Sequence, residues 1–168
     1  MNRLFVPFVI ALLCVQLPAA PPSGAYAPLI GVWQAVGVEA VGPKGVINTE
    51  WLGKEPTGVL IYDASGMMAV QLMRDPRPLK QGPEGGKPLD SEKAQFFDGY
   101  YAYFGRYEVD EKTHKVKHHI QGSLKPGEVG VTYTRTFELV GDSLSITTPE
   151  YEENGVKWFN RLRWKKVR

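Results

Sequence analysis

Arg135 lies in the run 131–139, where alternation puts Val131, Tyr133, Phe137 and Leu139 on its own face and Thr132, Thr134, Thr136 and Glu138 on the other. The apolar face of such a strand turns to the core. A guanidinium carried inward must be paired or bound to something. Two chemistries answer that need. One is structural: an ion pair with Glu39 or another inward acid, or a stack on Trp33. The other is recognition of a ligand carboxylate or carbonyl by the planar fork of donors.

The three histidines, His114, His118 and His119, stand close enough together to raise a metal site. Strand alternation separates them, with His114 and His118 on one face and His119 on the other, and no second group of ligands accompanies them. The reading is therefore no metal. His118 shares its face with Val116 and Ile120, which makes it a hydrogen-bonded core histidine or, facing a cavity, a general acid/base. Imidazole titrates near neutrality, so His118 and His119 are the catalytic candidates alongside Arg135. Tyr101, Tyr103 and Tyr107 lie in an aromatic-rich passage, and with Tyr133 and Gln71 they complete the candidate ligand contacts. A tyrosine combines a large apolar body with a polar tip. No phosphate-binding loop, nucleophile elbow or dinucleotide fingerprint is present: Lys87 in the glycine-rich stretch 82–88 is followed by Pro88. No cofactor is expected.

The elements that must position these groups are mostly strands. The chain has 168 residues, 43% hydrophobic and 23% charged, which suits one globular domain. Residues 31–40 read as a first strand, with Trp33, Ala35, Gly37 and Glu39 on one face. Residues 57–62 and 67–74 form a hairpin about Asp63-Ala-Ser-Gly66. Residues 75–90 are rich in proline and glycine and read as a long surface loop, of the kind that serves as a lid or mobile rim. Asp90 or Ser91 can cap a helix running to about Phe104, with Ala94, Phe97, Tyr101 and Phe104 as its apolar stripe and Gly99 as a weak point. Strands follow at 106–110, 115–123, 130–139, 143–148 and 156–167, with an acidic, loop-like stretch at 149–155. About eight short strands with regular turns predict an all-β antiparallel barrel or sandwich with one short helix. Eight strands closed into a barrel leave room for side chains or one small ligand.

The formal charge of +2 is too balanced to imply nucleic acid or an anionic membrane surface. Arg3, the apolar run 4–17 and the small residues after it predict a signal peptide over residues 1–25, cut after Ala25 or Ala27, with the barrel domain over 28–168. The apolar run is short for a spanning helix, so no membrane insertion is expected once the leader is gone. Cys14, the only cysteine, is preceded by Leu13 and not by the small residue a lipid anchor needs, so the mature chain is read as unlipidated and cysteine-free. That places it outside the cytoplasm, periplasmic or secreted, held by its core alone. The sequence carries no signal for an oligomeric state.

Gly31-Val-Trp33, the hairpin from Thr57 to Arg74 with Arg77-Pro78, Tyr103-Phe-Gly-Arg-Tyr107, Val116 to Ser123, Arg135 to Leu144 and Arg161-Leu-Arg-Trp164 occur in the order of the bacterial and fungal lipocalin-like domain family. The chain resembles that family from Leu29 to Lys166. The resemblance implies a calycin-type barrel, with Arg161 or Arg163 packed across Trp33 at the closed end. It transfers no catalytic residue. The functional expectation is a barrel that binds a small apolar or aromatic ligand. The alternatives are an isomerase, cyclase or dehydratase acting on a polyketide- or terpenoid-like substrate, and a structural envelope protein with a filled interior.

Overall fold

The computed structural model describes residues 24–48, 52–53, 55–75 and 88–168. Residues 1–23, most of the expected signal peptide, and most of the proline-rich loop, 76–87, lie outside the described residues. Among those described, ten strands occur: β1 Gly31–Gly42, β2 Gly45–Asn48, β3 Thr57–Tyr62, β4 Met67–Met73, β5 Tyr100–Asp110, β6 Lys115–Ser123, β7 Thr132–Val140, β8 Ser143–Thr147, β9 Tyr151–Glu153 and β10 Val156–Lys166. Neighbours pair antiparallel in the order β1-β3-β4-β5-β6-β7-β8-β10, and β10 returns to β1 to close an eight-stranded barrel. β2 pairs antiparallel with the far end of β1, and β9 with the start of β10. β9 turns into β10 through Asn154-Gly155, both with positive φ, the hairpin turn that Asn-Gly favours. One short helix, α1 (Asp90–Asp98), leads into β5. None of the described helices is long and apolar enough to cross a membrane.

Alternation supplies the core: Leu60 and Tyr62 from β3, Met68, Val70 and Leu72 from β4, Val116, His118 and Ile120 from β6 are all buried. β1 departs from the simple alternation. Its register against β10 slips between Ala35 and Gly37, leaving Val36 as the extra residue of a bulge. One inserted residue exchanges the two faces beyond it. Trp33, Ala35 and Val38 therefore face the core, and Glu39, expected to share the face of Trp33, turns outward. There its carboxylate meets Arg163 at 2.6 Å and Arg161 at 3.9 Å. Neither arginine packs on Trp33. That place is taken by Lys166, the register partner of Trp33, whose ammonium sits 5.1 Å from the ring centroid.

The helix is shorter than expected. It stops at Asp98, and the Gly99 N–H closes the last turn on the Gln95 carbonyl at 2.9 Å. Tyr100 already pairs with Met73. The β-favouring run Tyr-Tyr-Ala-Tyr-Phe joins the sheet once β4 offers its edge, so Tyr101 and Phe104 belong to a strand. The proposed apolar stripe does not form, since Ala94 and Phe97 are exposed. The helix begins after Leu89, whose N–H donates to the Glu92 carboxylate at 2.8 Å. Glu92, and neither Asp90 nor Ser91, supplies the capping side chain.

β5 and β6 lie unusually close at Gly105, where their register also slips. A Cβ at Gly105 would run into the carbonyl of His119. Gly105→Ala is expected to cost about 1–3 kcal/mol by forcing the two backbones apart, read as a lower urea midpoint at unchanged slope.

Candidate ligand-binding cavity

The barrel is closed at the end where β1 begins. Trp33 is fully buried there, and its indole N–H donates to the Leu29 carbonyl at 2.9 Å. Leu29 ends the short 3-10 helix Gly24–Leu29, and Lys166 holds the same segment through the Pro28 carbonyl at 2.8 Å. Towards the other end the side chains leave a cavity of about 220 Å³. Its wall is apolar, built by Val38, Leu60, Val70, Leu72, Ile146 and Leu162. It reaches the rim at Lys125, Glu128, Thr148 and Asn160. A dry apolar cavity of roughly 150 Å³ accepts benzene, so this one suits a single aromatic ring with a short substituent.

The polar groups within the cavity include Tyr101 and Tyr103 from β5, His118 from β6 and Arg135 from β7, three adjacent strands. His118 on β6 is buried, with both ring nitrogens engaged: Nε2 with the Tyr62 hydroxyl and Nδ1 with the Tyr103 hydroxyl, each at 2.8 Å. Tyr103 and His118 line the cavity, whereas Tyr62 lies beneath them, against Tyr107. Burial, aided by the cation of Arg135 and by His119, pulls the His118 pKa down to about 3. Burial raises both hydroxyls, Tyr62 and Tyr103, above the ordinary phenol range, while Arg135 works in the opposite direction. The trio is therefore neutral at neutral pH.

Arg135 faces the cavity from β7, as its strand pattern predicts. Its partner is neither Glu39 nor Trp33. The guanidinium lies over the Tyr133 ring, 4.5 Å from the centroid, and makes no ion pair among the described residues. Glu128, the one acidic residue in the cavity lining, already accepts from the Ser123 hydroxyl at 2.7 Å and the Tyr101 hydroxyl at 3.3 Å. Trp164 also lines the cavity, and among the described residues its buried indole N–H has no acceptor.

The structure thus brings together Arg135, His118, Tyr101 and Tyr103 on one cavity, with Tyr133 stacked beneath Arg135. It leaves the three other candidates, and His114, elsewhere. Tyr107 is spent at the closed end, donating to the Asp63 carbonyl at 3.0 Å. Gln71 is on the outer face of β4, accepting from the Tyr100 hydroxyl at 3.0 Å. His119 is outside the barrel, between Thr132 and Glu108 at 3.0 and 3.3 Å. His114 sits in the β5–β6 turn, with positive φ. Two members escaped the sequence reading. Tyr62 shares the inward face of Leu60, a signal that alternation offers, but its partner stands 56 residues away. Glu128 comes from the turn after β6, where no periodicity points.

A family model described as a lipocalin-like domain matches residues 30–167. The chain is 30% identical, over 107 residues, to the 4'-hydroxy-3'-methoxypropiophenone carrier protein ppsC of Aspergillus oryzae (strain ATCC 42149 / RIB 40); the match covers 60% of this chain and 96% of that protein. No solved structure matches the chain significantly.

Proposed function

We propose, proceeding from the fact that this chain belongs to the lipocalin-like domain family, that its barrel is an extracytoplasmic binding module for a small aromatic ligand. The observation that carries this reading is the interior cavity of about 220 Å³, apolar in its wall and furnished with a few convergent polar groups. Ligand sites have that character, whereas a purely structural barrel would fill its interior. The similar fungal protein is named as a carrier of a single-ring aryl ketone, a molecule of the size this cavity suits.

Convergence of His118, Tyr103 and Arg135 is also what an isomerase or dehydratase would require. Proton transfer at neutral pH asks for a group that titrates near it. His118 has both nitrogens occupied and a pKa of about 3, and His119 is outside the barrel. Binding is the better use of this constellation.

Export rests on the composition of the leader. Cuts after Ala25 and after Ala27 both spare Pro28 and Leu29, which close the barrel floor. The intact mass of the protein recovered from its own organism is expected to correspond to one of these cuts, and a full-length cytoplasmic product overturns this part of the reading.

Native mass spectrometry is expected to find one small molecule per chain, lost on unfolding. Leu162→Trp, which fills the cavity near its rim, is expected to abolish that adduct without preventing folding. Absence of any adduct, together with failure to take up single-ring aromatic compounds, overturns the reading.

A further inference from the structure

The hydrogen-bond chain through His118 has a direction. A neutral imidazole carries one N–H and one acceptor nitrogen, so one of its two tyrosine partners must donate to it and the other must accept. Among the described residues the Tyr62 hydroxyl meets no partner except His118 Nε2, and Tyr62 is fully buried beneath the cavity. Were Nε2 protonated, the Tyr62 hydroxyl proton would be left buried and unsatisfied, an expensive arrangement. Tyr62 therefore donates to Nε2, the proton of the ring sits on Nδ1, and Nδ1–H donates to the Tyr103 oxygen. Among the described residues the Tyr103 hydroxyl proton is then left without an acceptor, on a residue that lines the cavity.

Other donors stand around the same space. The Arg135 guanidinium makes no ion pair, and the Trp164 indole N–H has no acceptor among the described residues. The carboxylate of Glu128 is already engaged by Tyr101 and Ser123. Within the lining, Lys125 and Arg135 are the cations and Glu128 the one acid. The interior of the cavity offers donors in Tyr103, Arg135 and Trp164, while its acceptors, Glu128, Thr148 and Asn160, stand at the rim.

We infer that the Tyr62–His118–Tyr103 chain and Arg135 form a receptor for a negatively charged oxygen, so that the ligand is a single-ring aromatic molecule bound as its carboxylate or phenolate. Tyr103 and Arg135 touch the oxygen. His118 and Tyr62 are positioning residues that keep the Tyr103 proton aimed at it. The inference rests on the binding reading above and specifies its ligand.

Three probes of nearly equal size separate the two: 3-phenylpropanoate, 3-phenylpropanamide and propylbenzene, titrated calorimetrically into the full chain at pH 7.5. The anion is expected to bind most tightly, the amide next and the hydrocarbon least. Arg135→Met should weaken the anion by about 10- to 100-fold, and Tyr103→Phe should weaken both anion and amide about 10-fold, as for the loss of a charge-assisted hydrogen bond. Neither should change propylbenzene binding. Tyr62→Phe, remote from the ligand, should weaken the anion and the amide and spare the hydrocarbon, an effect no simple loss of packing gives. Nitrogen-15 NMR of His118 should show a proton on Nδ1 and a bare Nε2. Propylbenzene binding as tightly as the anion, or a proton on Nε2, overturns this inference and leaves the binding reading standing. Failure of all three probes overturns both.

Discussion

Trp33→Ala is expected to lower the free energy of unfolding by about 3–5 kcal/mol, the usual range for emptying a large aromatic site in a core. Trp33 is fully buried, and the substitution also strips the Leu29 carbonyl of its donor and Lys166 of the ring beneath it. Domains hold only about 5–15 kcal/mol in total, so this one change removes a large part of what keeps the barrel folded. Trp33→Phe separates the contributions. It keeps most of the apolar volume and loses the hydrogen bond, and is expected to cost about 1 kcal/mol plus a smaller packing term. Urea unfolding of the two variants beside the parent measures both. A loss below about 1 kcal/mol for Trp33→Ala would show that the closed end does not anchor the fold.

Acid should weaken the barrel well above the pH where carboxylates titrate. The ordinary histidine pKa is 6.5, and in the folded chain burial holds His118 at about 3. Above pH 6.5 the ring is neutral whether the chain is folded or not, and the trio contributes in full. Below it the unfolded chain takes up a proton that the folded barrel refuses. Stability is then lost as pH falls, at about 1.4 kcal/mol per pH unit, until the folded value is reached. Hydrogen bonds to Ser65, Thr113 and Arg168 hold the carboxyls of Asp63, Asp110 and Asp142 below their ordinary 3.8, so these also lose stability in acid, but near and below that value. The interval from about pH 4.5 to 6 therefore isolates the histidine. Urea midpoints across it should fall steadily for the parent chain. His118→Gln can still donate and accept between the two tyrosines but cannot titrate, and its curve should be nearly flat. An equal slope in both chains would assign the loss to other groups.

The inward placement of Arg135 and His118 was legible because β7, and β6 from Lys115 to Ile120, keep an unbroken alternation, with Val116, Ile120 and Phe137 marking the buried face. Glu39 was misread because alternation carries no mark of an inserted residue. The bulge at Val36 arises from pairing with β10, more than a hundred residues later in the chain, and exchanges the faces after it. The end of α1 was lost to the same kind of non-local contact: helical spacing from Ala94 to Phe104 looks sound until β4 claims Tyr100. β9 left a clear local signal, Asn154-Gly155, but its three residues are all exposed, so no apolar face announced a strand. The hydroxyl chain was beyond any local reading. Tyr62, Tyr103 and His118 come from three strands, and their roles depend on which atoms meet.

The seam between β1 and β10 runs from Trp33 opposite Lys166 to Val41 opposite Phe159, joining the two ends of the domain. It determines when a growing chain can fold. Until the final strand has left the ribosome, β1 and β8 each lack a neighbour, and no ring of hydrogen bonds can exist. Pairings between such distant segments form slowly, and open strand edges invite pairing with other chains. A message that stops short of residue 156 therefore specifies an unclosed sheet, prone to join its own copies, and not a smaller barrel. The eleven residues of β10 turn the preceding strands into a vessel.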